Sequence, residues 1–463
     1  MIDCFVLFPA QADVFASEPL VRSVCVVEEP LSSGATVRKI AEAAEAEYTL
    51  VYTRPTAIRL VQRALERFVQ VAEYTGAAMV YSDRFVSKGD SLVQYPVIDC
   101  QTGSLRDDFD FGGLLLFRTD VLKAAAAEVP EDIDYAGLYA LRLAVSRRRL
   151  PEHIPEYLYY EVETDLRTSG EKQFDYVNPR NREVQVEMEL SVNEHLKAIG
   201  AFLAPRSGDI DLSEGDFEVE ASVVIPCRNR VQTIGDAIRS ALSQDAPFPY
   251  NVIVVDDNST DGTVDVIKSF LGDPRVVYIP QDPSWHAIGG NWNAAIHSPR
   301  CGRFALQLDS DDVYSGPDTV RKFVEGFYRE RCAMVIGCYA MTDFDLNPIP
   351  PFVIEHREWT DENGHNNALR INGLGAPRGF FVPVLRKIGF PVTKYGEDYA
   401  VGLRISREYR IGRIWDVLYN CRRWEHNSDS DLSVEKVNAN NFYKDKLRSW
   451  EVAARIELNN SAL

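Results

Sequence analysis

An α/β fold is predicted by three stretches of this 463-residue chain: Ala221-Ser-Val-Val-Ile-Pro-Cys-Arg-Asn229, Val252-Ile-Val-Val-Asp-Asp-Asn-Ser-Thr-Asp-Gly-Thr263 and Leu306-Gln-Leu-Asp-Ser-Asp-Asp312. The first two open on apolar, β-branched runs of strand length, each followed by a segment of helical period. That alternation belongs to parallel βαβ units buried on both faces. All three stretches end in polar groups, and ligands of parallel sheets sit at the carboxyl ends of the strands. Asp256, Asp257, Asp309, Asp311 and Asp312 fall there. Carboxylates crowded together are costly unless a cation or a hydrogen-bonding ligand shares their site, so the pattern points to a metal and nucleotide site.

Composition narrows the partners. Lys+Arg of 50 against Asp+Glu of 69 leaves a net charge of −19, which argues against nucleic acid and anionic lipid as ligands. The eight cysteines are scattered without a CxxC pair, indicating neither a zinc site nor a disulfide framework and fitting a reducing compartment. The first residues, Met1-Ile-Asp-Cys-Phe-Val-Leu-Phe-Pro9, lack a basic leader, and no run of about 18 apolar residues occurs. A cytoplasmic protein without a transmembrane segment is expected.

In the first half, strand-like runs (Cys4 to Phe8, Val24 to Val27, Tyr48 to Tyr52, Ala77 to Tyr81) alternate with helical stretches such as Ala57 to Glu73, again α/β. Self-comparison suggests a duplication. Ala78-Met-Val80 matches Ala333-Met-Val335, Gly113-Leu-Leu-Leu-Phe-Arg118 resembles Gly379-Phe-Phe-Val-Pro-Val384, and Asp134-Tyr-Ala136 matches Asp398-Tyr-Ala400, all in the same order. Laying Tyr48 to Tyr52 on Phe304 to Leu308 sets Thr53-Arg-Pro-Thr56 where Asp309-Ser-Asp-Asp312 stands, so the first half has lost the carboxylates and is expected to bind or scaffold. Asn181 to Leu203 has the spacing of a connector helix, and Ala204 to Asp216 has the Pro, Gly, Ser and acid content of a linker. The expected domains are 1–204, a linker at 205–220, and 221–463 including a closing amphipathic helix over Asn440 to Ile456, for packing or dimer contact.

Along the second half, Pro226 ends the first strand and Asn229 turns into a helix carrying Ile234, Ala237, Ile238 and Ala241. Ser259 or Thr260 caps the next helix, with Asp261 in its first turn. Capping does not account for Asp256 and Asp257, and a carboxylate there can accept from a uracil imide N–H or a ribose hydroxyl. Gly289 and Gly290 permit either close approach to a ligand or tight helix packing. Asp309-Ser-Asp-Asp312 offers hard oxygen ligands suited to Mg²⁺ or Mn²⁺, or else a helix N-terminal acid cluster ahead of Gly316. Gly373-Leu-Gly-Ala-Pro-Arg-Gly379 has the glycine spacing of a dinucleotide loop, but Pro377 and the lack of a preceding strand argue against one. Gly396-Glu-Asp-Tyr-Ala400 starts a helix, where Asp398 is either a dipole partner or a general base.

Taken in order over Ser222 to about Ser433, these motifs resemble the GT-A glycosyltransferases, in particular inverting family 2. The resemblance implies a Rossmann-like, mainly parallel sheet flanked by helices, with the first half a degenerate GT-A-like domain. It implies inverting, metal-dependent transfer from a nucleotide sugar, UDP preferred over GDP, to a glycan, a lipid-linked glycan or another hydroxyl, as in polysaccharide biosynthesis. By the family pattern Pro226 and Arg228 contact base and ribose, although family members often carry an aromatic at Arg228. Asp257 reads the base. Asp309-Ser-Asp-Asp312 is the DxD motif, with Asp311 or Asp312 the direct metal ligand and Asp309 nearer the ribose. Arg378 and Gly379 belong to an acceptor-side loop, with Arg378 counted among the donor-binding groups. Asp398 is the base, with Glu397 orienting it or touching the acceptor. His426 completes the metal shell, and Arg422, Arg423 or Ser428 holds diphosphate oxygens. Where relatives often have Ala-Arg-Asn, this chain has Asn291-Trp-Asn293. Two rivals are a glycan- or nucleotide-binding pseudoenzyme and a sugar-nucleotide pyrophosphorylase; Ser222 to Arg230 lacks the latter's glycine-rich loop and lysine.

Overall fold

The computed structural model describes residues 1–89, 91–163, 182–205, 208, 210–371, 373–424 and 432–461. The chain forms two compact units, one of Met1–Phe202, Leu369–Ile371 and Leu432–Leu463, the other of Leu203–Ala368 and Asn372–Asp431. The closing helix, Val434–Ser461, therefore groups with the first unit, whereas the sequence suggested the second. Its buried Asp445 accepts from Ser104 Oγ at 3.0 Å, a tie that helical spacing cannot reveal. No helix among the described residues is long and apolar enough to cross a membrane.

The first unit's strands are β1 (Ile2–Val6), β2 (Val21–Val26), β3 (Tyr48–Tyr52), β4 (Ile58–Leu60), β5 (Met79–Lys88), β6 (Ser91–Tyr95), β7 (Leu114–Arg118) and β8 (Glu152–Val162). Among the described residues they order as β2-β1-β3-β7-β5-β8-β4, with β6 on β5. The second unit has β9 (Ala221–Cys227), β10 (Tyr250–Asp256), β11 (Val276–Pro280), β12 (Phe304–Gln307), β13 (Val313–Tyr314), β14 (Met334–Thr342), β15 (Pro348–Ile354), β16 (Arg378–Phe381) and β17 (Ile411–Arg422). Its order is β11-β10-β9-β12-β16-β14-β17-β13, with β15 on β14. Apart from the extra edge strand β11, the two sheets share one plan. The first three strands are mutually parallel, the next is antiparallel to both neighbours, and the following pair is parallel again.

Both sheets are thus mixed, a refinement of the expected mainly parallel sheet. A short apolar run such as Gly379–Phe381 is buried on both faces in either direction, so its sequence carries no sign of its antiparallel course. By contrast, β9 and β10 are buried residue by residue, as their unbroken apolar runs require.

Strand register tests the duplication directly. Met79 lies opposite Phe117, and Met334 opposite Phe380. Ala78–Val80 and Ala333–Val335 are therefore equivalent, but Leu116, not Gly113, corresponds to Gly379. The helices Gly137–Arg148 and Glu397–Glu408 begin at equivalent places, which equates Leu138 with Asp398 and Tyr139 with Tyr399. Two of the three short matches are therefore out of register, although the duplication they suggest is visible in the shared topology. Ile2 pairs with Tyr48 as Ala221 pairs with Phe304, so Thr53 does stand where Asp309 does. The register adds a further match: Val24-Cys-Val-Val-Glu-Glu29 aligns with Val252-Ile-Val-Val-Asp-Asp257.

Candidate active site

The loops after β9 and β10 lock together through short polar side chains. Asn229, at φ 51°, receives the Thr260 N–H on its side-chain oxygen and donates its own N–H to Ser259 Oγ. Asn tolerates this left-handed conformation because its amide bonds locally. Asp256 is consumed within the turn, accepting the Ser259 N–H at 3.1 Å. Asp257 is turned instead toward His286, whose Nδ1 lies 2.7 Å from Asp257 Oδ1, while Arg228 reaches 4.0 Å from the other carboxylate oxygen and also lies against the imidazole. Pro226 is buried inside β9 opposite Val255.

The Asp309-Ser-Asp-Asp312 loop leaves β12 beside these turns. Asp309 accepts from Gln307 Nε2 at 3.1 and 3.2 Å. Asp311 has distant partners, Trp424 Nε1 at 3.4 Å and Arg230 Nε at 3.7 Å. Asp312 is buried with both oxygens engaged, one by the Tyr419 hydroxyl and one by the Arg422 N–H, each at 2.7 Å. Burial pushes the Asp309 and Asp312 carboxyls up, and repulsion from Asp311 adds to both shifts. That excess negative charge is what a divalent cation relieves, so the residues fit one. Among the described residues no group of three acidic, His or Cys side chains is already arranged to hold a metal. Asp309, whose two oxygens share the single Gln307 amide, and Asp311 keep lone pairs for a cation, and ligand oxygens would have to supply the rest of the shell.

On the other side, Arg378 of β16 places Nη1 2.5 Å from Asp398 Oδ2. The Glu397–Glu408 helix begins after Gly396 at φ 77°, a conformation that favours glycine. Glu397 is buried at this N-terminus. Desolvation, reinforced by the Asp398 charge, pushes its carboxyl up to about 8 from 4.5. Burial thus favours the protonated form of Glu397, while its neighbour is ion-paired. A carboxyl whose folded pKa exceeds its unfolded value binds a proton on folding, so its contribution falls as pH rises from about 4.5 to about 8 and is flat outside that window. Glu397→Gln should accordingly gain stability relative to wild type at pH 8 compared with pH 5, measured by urea unfolding at both. A constant difference between the two proteins would contradict it.

The helix Ile288–His297 closes the floor, and its glycines serve packing. A Cβ on Gly289 would lie 1.9 Å from the Pro391 carbonyl oxygen and 3.3 Å from Glu397 Cβ. Gly289→Ala must therefore push the helix off the Glu397 turn. It is expected to cost about 1–3 kcal/mol, read as a lowered unfolding midpoint, and an unchanged midpoint would refute the packing argument. Asn293 bonds both the N–H and the C=O of Phe390 at 2.9 and 2.8 Å, Asn291 accepts from Gln281, and Trp292 stacks on Phe390. The Asn-Trp-Asn segment is thus structural.

Of the residues singled out by sequence, Asp257, Asp309, Asp311, Asp312, Arg378, Glu397 and Asp398 surround one end of the sheet. Arg422 is buried as a brace, its guanidinium on Asp236 and the Asp311 carbonyl. Arg423, half-buried, donates its N–H to Thr342 O. His426 and Ser428 lie outside the described residues. Sequence reasoning missed His286, Gln307 and Tyr419 as partners of the acids.

The sequence profile of Glycosyl transferase family 2 matches residues 222–388. The putative teichuronic acid biosynthesis glycosyltransferase TuaG of Bacillus subtilis is 31% identical over 151 residues, covering 32% of this chain and 58% of that protein. Hyaluronan synthase of Pasteurella multocida is 30% identical over 228 residues, 47% of this chain and 22% of the synthase. The chain thus spans little more than half of the first of these relatives and less of the other. A crystal structure of S. aureus TarS 1-349 in complex with UDP-GlcNAc aligns over 50% of this chain and 70% of that one, with 21% identity and a TM-score of 0.39. With the ordered motifs, the profile match identifies residues 222–388 as a glycosyl transferase family 2 domain.

Proposed function

We propose that the second half of the chain transfers a sugar, with inversion, from a UDP-sugar to a hydroxyl of a glycan or lipid-linked glycan; a GDP-sugar is the second candidate donor. The supporting observation is one of register. Leu306 lies opposite Gly379, so Arg378, the partner of Asp398, stands beside Gln307, which holds Asp309, and the acids suited to a diphosphate and those suited to a proton transfer belong to one site. A divalent cation held by Asp309 and Asp311, Mn²⁺ or Mg²⁺, would neutralise charge on the departing diphosphate. Asp257, oriented by His286, accepts from the uracil imide. Asp398 takes the proton of the acceptor hydroxyl as its oxygen attacks the anomeric carbon opposite the leaving group, and Arg378 holds that carboxylate in place. Glu397, whose protonated form burial favours, serves as a hydrogen-bond donor. Polysaccharide acceptors are supported by what the two named relatives are called.

The first unit replaces the metal loop with Thr53-Arg-Pro-Thr56, and Arg54 there pairs with Asp110 at 3.4 Å. Nearby, Arg84 pairs with Glu161 at 2.5 Å and Asp110 at 2.7 Å, a network already neutral. We assign this unit acceptor binding, assembly or stability. Calorimetry of the whole chain with UDP or GDP, in Mn²⁺ or in EDTA, tests both halves of the reading. One UDP site per chain that weakens in EDTA is expected. Two equivalent sites, or binding indifferent to EDTA, would overturn it.

A further inference from the structure

We infer that Asp312 and Tyr419 form a clamp that positions the Asp309 and Asp311 carboxylates for a divalent cation, Asp312 itself not being a ligand. The inference rests on the metal-dependent reading above and goes beyond it by dividing the four-residue loop into two ligands and one anchor.

Strand β17 grips the loop at four atoms. The Tyr419 hydroxyl donates to Asp312 Oδ2 at 2.7 Å and accepts the Asp309 N–H at 3.2 Å. The Arg422 N–H donates to Asp312 Oδ1 at 2.7 Å, and Arg422 Nε donates to the Asp311 carbonyl at 2.6 Å. A hydroxyl that donates to one residue of a turn and accepts from another three positions earlier fixes the distance between them. Tyr419 is 1% exposed and Asp312 5%, so neither group can rotate outward without costing the other a hydrogen bond in the interior. With each oxygen held by a separate donor at 2.7 Å and the residue buried, Asp312 is less accessible to a cation than Asp309, whose oxygens share one longer-range amide, or Asp311. The Asp309 and Asp311 side chains lie outside this set of bonds.

The first unit supplies an internal contrast. Leu60 pairs with Tyr159 as Tyr314 pairs with Tyr419, so a buried tyrosine stands at the equivalent place. The Tyr159 hydroxyl accepts the Gly113 N–H at 2.8 Å, and the first unit's loop, Thr53-Arg-Pro-Thr56, carries no carboxylate. The buried tyrosine stands in both sheets, whereas its bond to a carboxylate occurs beside the acidic loop.

The test is Mn²⁺ titration by calorimetry into the full chain with UDP present, in wild type, Tyr419→Phe, Asp312→Asn, the double variant and Asp311→Asn. Groups that orient metal ligands typically change affinity by tenfold or more. Tyr419→Phe and Asp312→Asn should each weaken Mn²⁺ binding roughly tenfold, and the double variant no more than the worse single, because both break one bond. Asp311→Asn should abolish Mn²⁺ binding, and raising Mn²⁺ should restore transfer in Tyr419→Phe by saturating a site whose KM for the metal is elevated. A merely structural tyrosine would instead lower the melting point in EDTA and leave the Mn²⁺ affinity alone, which overturns the proposal. So does an Asp312→Asn protein as dead to Mn²⁺ as Asp311→Asn, since Asp312 would then be the ligand. If Tyr419→Phe does not fold, the two aspartate variants still decide. A wild type that takes up no Mn²⁺ would fail one step earlier, removing the metal-dependent reading itself.

Discussion

Asp398→Asn should lower sugar transfer by roughly two orders of magnitude or more while leaving nucleotide binding intact. The amide keeps the size of the side chain and can still face Arg378, but it cannot take up the acceptor's proton. Two features of the site sharpen the expectation. The Arg378 guanidinium, 2.5 Å from Oδ2, fixes the orientation of the side chain that serves as base. Glu397, the obvious substitute, is buried, and that burial, the largest cause of its raised pKa, persists in the variant and disfavours the ionised form. Single-turnover transfer with UDP-sugar donors, alongside calorimetric UDP binding, separates the two effects. Near-normal turnover in the variant would reassign the base.

Asp311→Ala should have the second-largest effect, a loss of roughly a hundredfold in Mn²⁺-supported UDP affinity, about 3 kcal/mol. Among the described residues Asp311 has no close side-chain partner, with Trp424 Nε1 at 3.4 Å and Arg230 at 3.7 Å. Its removal therefore breaks no strong internal bond there, and the folded state should be little disturbed. In EDTA the variant and wild type should bind UDP alike, because the carboxylate then lacks the cation through which it acts. Unequal affinities in EDTA, or equal ones in Mn²⁺, would show that Asp311 does not act through a metal.

The motifs that locate the site were legible because each lies at the end of a strand whose apolar run admits one reading. Val223 to Ile225 and Val252 to Val255 are fully buried, and a continuous β-branched run of that length has few other ways to satisfy its burial. The residues after such a strand are then forced to its carboxyl end, which is why Asp257 and Asp309 could be paired from sequence alone. The duplication was legible for the same reason, through Ala78-Met-Val80 on a buried strand. Of the matches that misled, Gly113-Leu-Leu-Leu-Phe-Arg118 lies on the strand equivalent to Gly379's but three residues out of register, and Asp134-Tyr-Ala136 precedes the helix whose counterpart contains Asp398-Tyr-Ala400.

Residue type and short-range period were enough to establish the α/β class, the acidic strand ends and the absence of carboxylates from Thr53-Arg-Pro-Thr56. The role of each acid, by contrast, emerged only from the folded chain. Asp256 serves its turn, Asp257 faces His286, Asp312 is anchored by Tyr419, and Asp309 and Asp311 keep lone pairs for a ligand. Folding also sets Glu397 and Asp398, adjacent in the chain, in different surroundings, one buried and the other on Arg378. The physical reason is common to all of these. A carboxylate's state is set by the donors and charges within a few ångströms of it, and here those donors, Tyr419, Arg422 and Arg378, come from strands separated from the acids by up to about a hundred residues.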